Sequence, residues 1–253
     1  LKIKKELLSE VDCVICYAGL LAGDLWMGVP HLVEFCKDNK VGIVIGTYTK
    51  EIWDFLLSHI DGLENVKVLG VLHDPDLKIH EFSPMRGFSS LYATYEATCA
   101  ALRKIRSRAK VIFFEKLGNA YGSKFEPLSM SKCPTENGNH VVVHGFTRHT
   151  WKNCDDVVLR ASYKSPTVHV GISGEPKVKG MSYTEKMFAT VRSKGICGVL
   201  SSFNCIATVF HKPAVVASFT PDCKWVTRVN PNAHTLVCPS LPELQEKIDE
   251  LGW

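Results

Sequence analysis

Residues 195–221, GICGVLSSFNCIATVFHKPAVVASFTP, decide the fold class. Residues 196–200 form an unbroken apolar run, the pattern of a strand buried on both faces. Ser201 and Ser202 stand where a helix N-terminus needs a cap. Residues 203–211 carry a helical pattern, and Lys212-Pro213 ends it. Ala214-Val215-Val216-Ala217 is then a second buried strand. Two buried strands joined by a helix make a parallel βαβ unit. Its strand-to-helix turn aims several backbone N–H groups and the positive end of the helix dipole at one point, which suits a phosphate. The plainer reading is an ordinary βαβ unit whose serine pair only caps the helix.

The same alternation runs outward in both directions. Strands are expected at 11–17, 41–46, 67–72 and 110–114, with helices around 27–37, 50–60 and 88–107. Residues 115–138 lose periodicity and collect Gly, Ser, Pro, Lys and Asn, the composition of a linker. The pattern restarts with a strand at 140–144, a helix near 153–162 and a strand at 167–172. Ser182-Tyr183-Thr184-Glu185 is a capping box for the next helix, and a last helix spans 242–251. The fold class is therefore α/β, with parallel sheets carrying helices on both faces. Residues 1–138 make one Rossmann-like domain with its linker, and 139–253 the other. In such sheets ligands bind outside the carboxyl ends of the strands. That edge holds residues 19–24, 73–76, 145–151, 173–179 and 201–204, which line one cleft if the two domains face each other.

Composition narrows the class independently. A chain of 253 residues allows one large or two small domains. Hydrophobic residues at 45% and charged residues at 22% are the balance of an ordinary globular protein. No apolar run approaches the ~18–20 residues of a membrane span. The opening LKIKKELLSE is basic and amphipathic, without the apolar core of a signal peptide. Ten cysteines lie mostly within expected strands and helices rather than along loops, which fits a reducing cytoplasm. Cys13 and Cys16 form a C-x-x-C, but on a strand they point to opposite faces, and no second pair follows. The histidines show no metal-binding spacing, so no metal site is expected. The net charge of +4 falls in residues 139–253, with 13 basic against 9 acidic residues. An anionic ligand on that half accounts for the bias, and so does chance.

Three motifs, in order along the chain, resemble glycosyltransferase family nine, the ADP-heptose:lipopolysaccharide heptosyltransferases. In residues 195–221, Gly198, Ser201, Lys212-Pro213 and Phe219-Thr220-Pro221 fall on the marked positions of that family's donor segment. Leu200, Ser202 and Cys205 stand where the family has Asp, Gly and His. In CVICYAGLLAGDLWMGVPHLVEFCKDNKVGIVIG, residues 13–46, Gly19, Gly23, Asp24 and Pro30 match the opening segment. NHVVVHGFTRHTW, residues 139–151, resembles the strand and phosphate-contacting loop that open the donor domain. The resemblance implies a GT-B architecture of two Rossmann-like domains. It further implies an inverting, metal-independent sugar transfer from a nucleotide-diphospho-sugar, with no separate cofactor.

Inverting transfer needs a base for the acceptor hydroxyl proton and donors for the departing diphosphate. The resemblance makes Asp24, after Gly23, the base, while its position alone also suits a helix N-cap. Thr147, Arg148, His149 and Lys152 surround the loop that would contact the diphosphate, Arg148 offering a planar fork; a solvated loop with incidental charge is the alternative. Ser201, Ser202, Phe203 and Asn204 would complete that cradle. Arg103, Lys104, Arg106, Arg108 and Lys110 put five cations in eight residues at the end of an acceptor-side helix. They read as a solvated helix C-terminus or, with Arg103, Arg106 and Arg108 on phosphates, as a face for DNA bearing hydroxymethylated pyrimidines. The acceptor is thus a saccharide or modified DNA. Two rivals remain: a nucleotide- or partner-binding protein that has lost catalysis, and a nucleotide-sugar epimerase.

Overall fold

The computed structural model describes residues 1–17, 22–46, 49–72, 95–118, 124–131, 138–145, 152–171 and 180–253. For residues 72, 152, 153, 222 and 223 it describes the backbone alone. The chain divides into two compact units, Leu1–Asn119 with Met130–Lys132, and Ala120–Ser129 with Cys133–Trp253. Each is built on its own parallel sheet with helices, so the α/β class read from the alternation holds.

The first unit contains β1 (Cys13–Tyr17), β2 (Val41–Gly46), β3 (Lys67–Leu72) and β4 (Lys110–Phe113), in the spatial order β3-β2-β1-β4 and parallel throughout. Its helices are α1 (Ala22–Cys36), α2 (Lys50–His59) and α3, helical over residues 95–104. Every residue of β1 is buried because both faces are covered. Val14 and Cys16 pack with Ile3, Leu8, Val44, Leu69 and Leu102. Tyr17 points the other way, its ring 6.0 Å from Trp53 and 5.0 Å from Phe114. The opening residues lie along β3: the Lys4 amide donates to Leu69 O at 2.9 Å. A Cβ at Gly70 would stand 3.0 Å from Lys2 O, so a glycine there admits the approach.

The second unit contains β5 (Val141–His144), β6 (Thr167–His169), β7 (Gly195–Val199), β8 (Ala214–Ser218) and β9 (Ala233–Val237), ordered β6-β5-β7-β8-β9 and again parallel. Its helices are α4 (Lys152–Arg160), α5 (Tyr183–Arg192), α6 (Ser202–Val209), α7 (Trp225–Val229) and α8 (Leu241–Glu250). On one face Val141, Val143, Cys197, Val199, Val215 and Ala217 meet Cys154, Val158, Leu244, Ile248 and Trp253. The opposite face takes the alternate residues, Val142, His144, Ile196 and Gly198, under α5 and α6. Capping boxes start α5 at Ser182 and α8 at Ser240.

Several expected boundaries move. α1 begins at Ala22, five residues before the expected start at 27, so Pro30 is interior and buried rather than near the helix start. The strand expected over 167–172 is regular only to His169, although Val170 N still reaches Val143 O at 3.0 Å. β9 and α7 were not expected. The strand Ala233–Val237 carries polar and half-buried residues at an edge, and the helix is a single short turn, so neither shows a period. Within the expected linker, Phe114–Leu117 forms a 3₁₀ turn. Farther along, Leu128 N donates to Val209 O in the second unit. Ser131 gives its amide and hydroxyl to the Asp61 carboxylate in the first. The first part of the helix expected over 88–107 lies outside the described residues.

Candidate functional site

The strand order of the second unit puts β6 on one side of β5 and β7 on the other. Chain connections diverge between β5 and β7, and in such sheets the crevice for a ligand opens outside the carboxyl ends at that point. His144, the last residue of β5, pairs with Gly198 of β7. A Cβ at 198 would stand 2.5 Å from His144 O and 2.9 Å from His144 Cβ, so the two strands approach this closely only with glycine there.

β7 then turns into α6 through Leu200 and Ser201. Asn204 Oδ1 accepts from the Ser201 amide at 3.1 Å and from its hydroxyl at 3.2 Å, which fixes the first turn. The Tyr183 hydroxyl donates to Ser202 Oγ at 3.2 Å and so ties the start of α5 to the start of α6. Phe203 is buried with its ring 5.5 Å from His144 and 5.6 Å from Tyr183. Lys186, one turn along α5, is only 5% exposed, and its Nζ donates to Gly171 O at 3.1 Å.

His144, Lys186, Phe203 and Asn204 are all buried, so the surroundings are of low dielectric. His144 is 4% exposed, and its pKa is pushed down to about 4. Burial is the main cause; its own backbone pulls part of the way back, and the Lys186 charge adds to the fall. Among the described residues its Nδ1 has no hydrogen-bond partner, nor have Asn204 Nδ2 and Thr208 Oγ1, all buried. A helix N-terminus, two serine hydroxyls, an imidazole and an ammonium therefore gather at one edge, an arrangement matched to an anion.

Of the expected site residues, the structure brings Ser201, Ser202, Phe203 and Asn204 together here. Thr147, Arg148 and His149 lie outside the described residues, as does Gly19, while Lys152 opens α4 with only its backbone described. Lys212 is occupied elsewhere: its Nζ donates to Ser193 O at 3.2 Å, which secures the end of α5, and burial lowers its pKa. Cys205 is buried, and Phe219 stands 55% exposed just past β8. The sequence reading missed His144, Tyr183 and Lys186. One signal was present: Lys186, Met187, Thr190 and Val191 are the buried positions of α5, so a lysine sits on the helix's inward stripe.

In the first unit, the order β3-β2-β1-β4 places the equivalent divergence between β1 and β4. Asp24, with Gly23 before it, follows β1 as the third residue of α1; it belongs to the first turn and is not the cap. Glu115 follows the neighbouring β4. Burial pushes its carboxyl upward, its own backbone offsets part of the rise, and the negative charge of Asp24 adds to it. The carboxyl ends of β1 and β4 thus hold two carboxylates within electrostatic reach of each other.

Arg103, Arg106 and Arg108 are exposed and precede β4, at the amino ends of the same strands. The structure does not bring them to Asp24. Beside them a cavity of about 590 Å³ opens, lined in part by Lys5, Ser9, Asp12, Ser107 and Arg108. Among the described residues no group of three His, Cys, Asp or Glu is placed to hold a metal ion, and no helix is long and apolar enough to cross a membrane.

No family model matches the chain, and no curated protein matches it. Among solved structures, one titled E. coli heptosyltransferase WaaC with ADP is similar with a TM-score of 0.48 and 13% sequence identity, over 94% of this chain and 95% of that one.

Proposed function

We propose that this chain is an inverting, metal-independent glycosyltransferase of GT-B type. The second unit holds a nucleotide-diphospho-sugar and the first presents the hydroxyl acceptor. The observation that carries the reading is the set of donors around the N-terminus of α6, at the divergence of β5 and β7. Support also comes from the ordered motifs of residues 13–46, 139–151 and 195–221, which resemble the heptosyltransferases.

In the proposed reaction the acceptor oxygen attacks the anomeric carbon while the bond from that carbon to the diphosphate oxygen breaks. Asp24 takes the acceptor proton, and the nucleoside diphosphate leaves with the bonding electron pair. Ser201, Ser202 and the amides of Phe203 and Asn204, with Thr147, Arg148, His149 and Lys152, meet the charge that develops on the leaving group. Placement of the basic run at the amino ends of the strands, away from Asp24, favours a saccharide acceptor. Modified DNA is the second acceptor, because all five cations between Arg103 and Lys110 are exposed and none has an ion-pair partner among the described residues.

The test is thermal unfolding of the whole chain with ADP, UDP, GDP and their sugar conjugates, followed by assay of diphosphate release with saccharide and DNA acceptors. A cognate diphosphate at 100 times its Kd adds about 2.7 kcal/mol of stability, and its sugar conjugate releases it only with acceptor. Binding without release from any conjugate identifies the competing protein, a nucleotide binder without catalysis, which the buried Cys205 and the Leu200 replacement favour. No stabilisation by any diphosphate rejects the donor site.

A further inference from the structure

Lys186 is an ammonium placed where the fold offers it little. It lies on the buried stripe of α5, beside Met187, Thr190 and Val191. A buried charge is costly unless it is paired and hydrogen-bonded. The ammonium carries three donors, and among the described residues it meets one acceptor, the neutral carbonyl of Gly171 at 3.1 Å. No carboxylate pairs with it among the described residues. The titratable group it acts on is His144, whose Nδ1 is buried and without a partner among the described residues.

Both groups belong to the same edge as the α6 N-terminus. Gly171 follows β6, His144 ends β5, and the His144 ring packs on Phe203, the second residue of α6. Tyr183, one turn before Lys186, holds the Ser202 hydroxyl, so the helix that carries the ammonium is tied to the helix that offers its amides. Among the described residues, a cation without a carboxylate and an imidazole nitrogen without a hydrogen-bond partner thus lie by the start of α6.

We propose that Lys186 is a ligand-contacting residue of the donor site: its ammonium, with His144 Nδ1 beside it, receives a phosphate group of the diphosphate seated at the N-terminus of α6. The proposal rests on the donor-site reading for its choice of ligand, but not on sugar transfer. It assigns to α5 the positive charge that the serine hydroxyls and amides of α6 do not supply. The alternative role for the lysine is a staple that holds the Gly171 carbonyl.

The experiment is calorimetric titration of the full chain with inorganic pyrophosphate, ADP and UDP, for wild type, Lys186→Met and Lys186→Arg. Lys186→Met keeps the apolar stem and removes the charge. Its pyrophosphate affinity is expected to fall at least tenfold with its unfolding temperature held or raised, while Lys186→Arg keeps most of the affinity. A folded Lys186→Met that binds pyrophosphate as wild type does overturns the proposal, and a lower unfolding temperature with unchanged affinity identifies the staple. If Lys186→Met does not fold, His144→Phe carries the test. It fills the same volume without Nδ1, and unchanged affinity again overturns the proposal. Lys186-dependent pyrophosphate binding without turnover of any sugar nucleotide leaves this site standing and removes the transferase. Absence of binding by wild type to all three probes removes both.

Discussion

His144 shows how one side chain ties stability to pH. Burial, opposed in part by its own backbone and aided by Lys186, lowers its pKa to about 4, against about 6.5 for an unfolded chain. Between those values the unfolded state takes up a proton that the native state refuses. The stabilising difference is fully present above about pH 6.5 and is lost as pH falls towards 4, at roughly 1.4 kcal/mol per pH unit for one proton. Urea unfolding at pH 7 and pH 5 should show that loss, and His144→Phe should flatten most of it. A remainder is expected from His211, which burial shifts in the same direction. Asp24 makes a different prediction. Asp24→Asn should abolish transfer and leave diphosphate affinity nearly unchanged, because the lost group acts on the acceptor proton. Wild-type turnover in that variant would reduce Asp24 to a first-turn acid that complements the helix dipole. At this scale Ser201, Ser202 and Asn204 were legible because hydroxyl and amide residues break an apolar run where a helix begins. The surroundings of Lys186 and His144 were not, because they include a carbonyl and a ring contributed by segments far away in sequence.

Elements were read well wherever both faces of a strand are buried. β2 and β8 match their apolar runs, β8 closing on the polar Ser218, and the half-buried β3 matches although it opens on Lys67. The start of α1 was hidden, since Ala22-Gly23-Asp24 with Gly28 and Pro30 looks like a loop until packing overrides propensity. Gly28 is there for contact: a Cβ would lie 2.1 Å from the Phe114 ring. β9 escaped notice because an edge strand that mixes Ala, His, Thr, Leu and Val has no sharp period. The pairing of β5 with β7 is the element-scale feature open to test. In Gly198→Ala the new methyl group meets the His144 backbone oxygen at 2.5 Å, and a carbonyl within a sheet cannot swing aside. In Gly42→Ala the obstacle is Leu69 Cδ1 at 2.4 Å, the end of a side chain that can turn. Overpacking costs about 1–3 kcal/mol, sometimes more. Denaturant unfolding should therefore place Gly198→Ala well below Gly42→Ala, and equal losses would show that β5 and β7 separate easily.

Across the whole molecule, cations are placed in two different ways. The second unit buries Lys186, whereas the first displays the run from Arg103 to Lys110 at the amino ends of its strands. Exposed cations serve polyanions through counterion release, at about −0.9 in log–log salt slope for each phosphate contact. If DNA is the acceptor, Ala at positions 103, 106 and 108 should flatten that slope for duplex binding and lower activity on DNA, with donor affinity unchanged. Wild-type behaviour on every acceptor would leave a solvated helix end and a saccharide acceptor alone. The opening residues have a consequence of another kind. Among the described residues β3 is the outermost strand of its sheet, and an uncovered outer strand is a template onto which other chains can add. With Lys4 bonded to Leu69 and the Lys2 carbonyl lying against Gly70, the first few residues act as a selvedge. Laid along that edge, they leave less of it open for one molecule to be stitched, sheet to sheet, to the next.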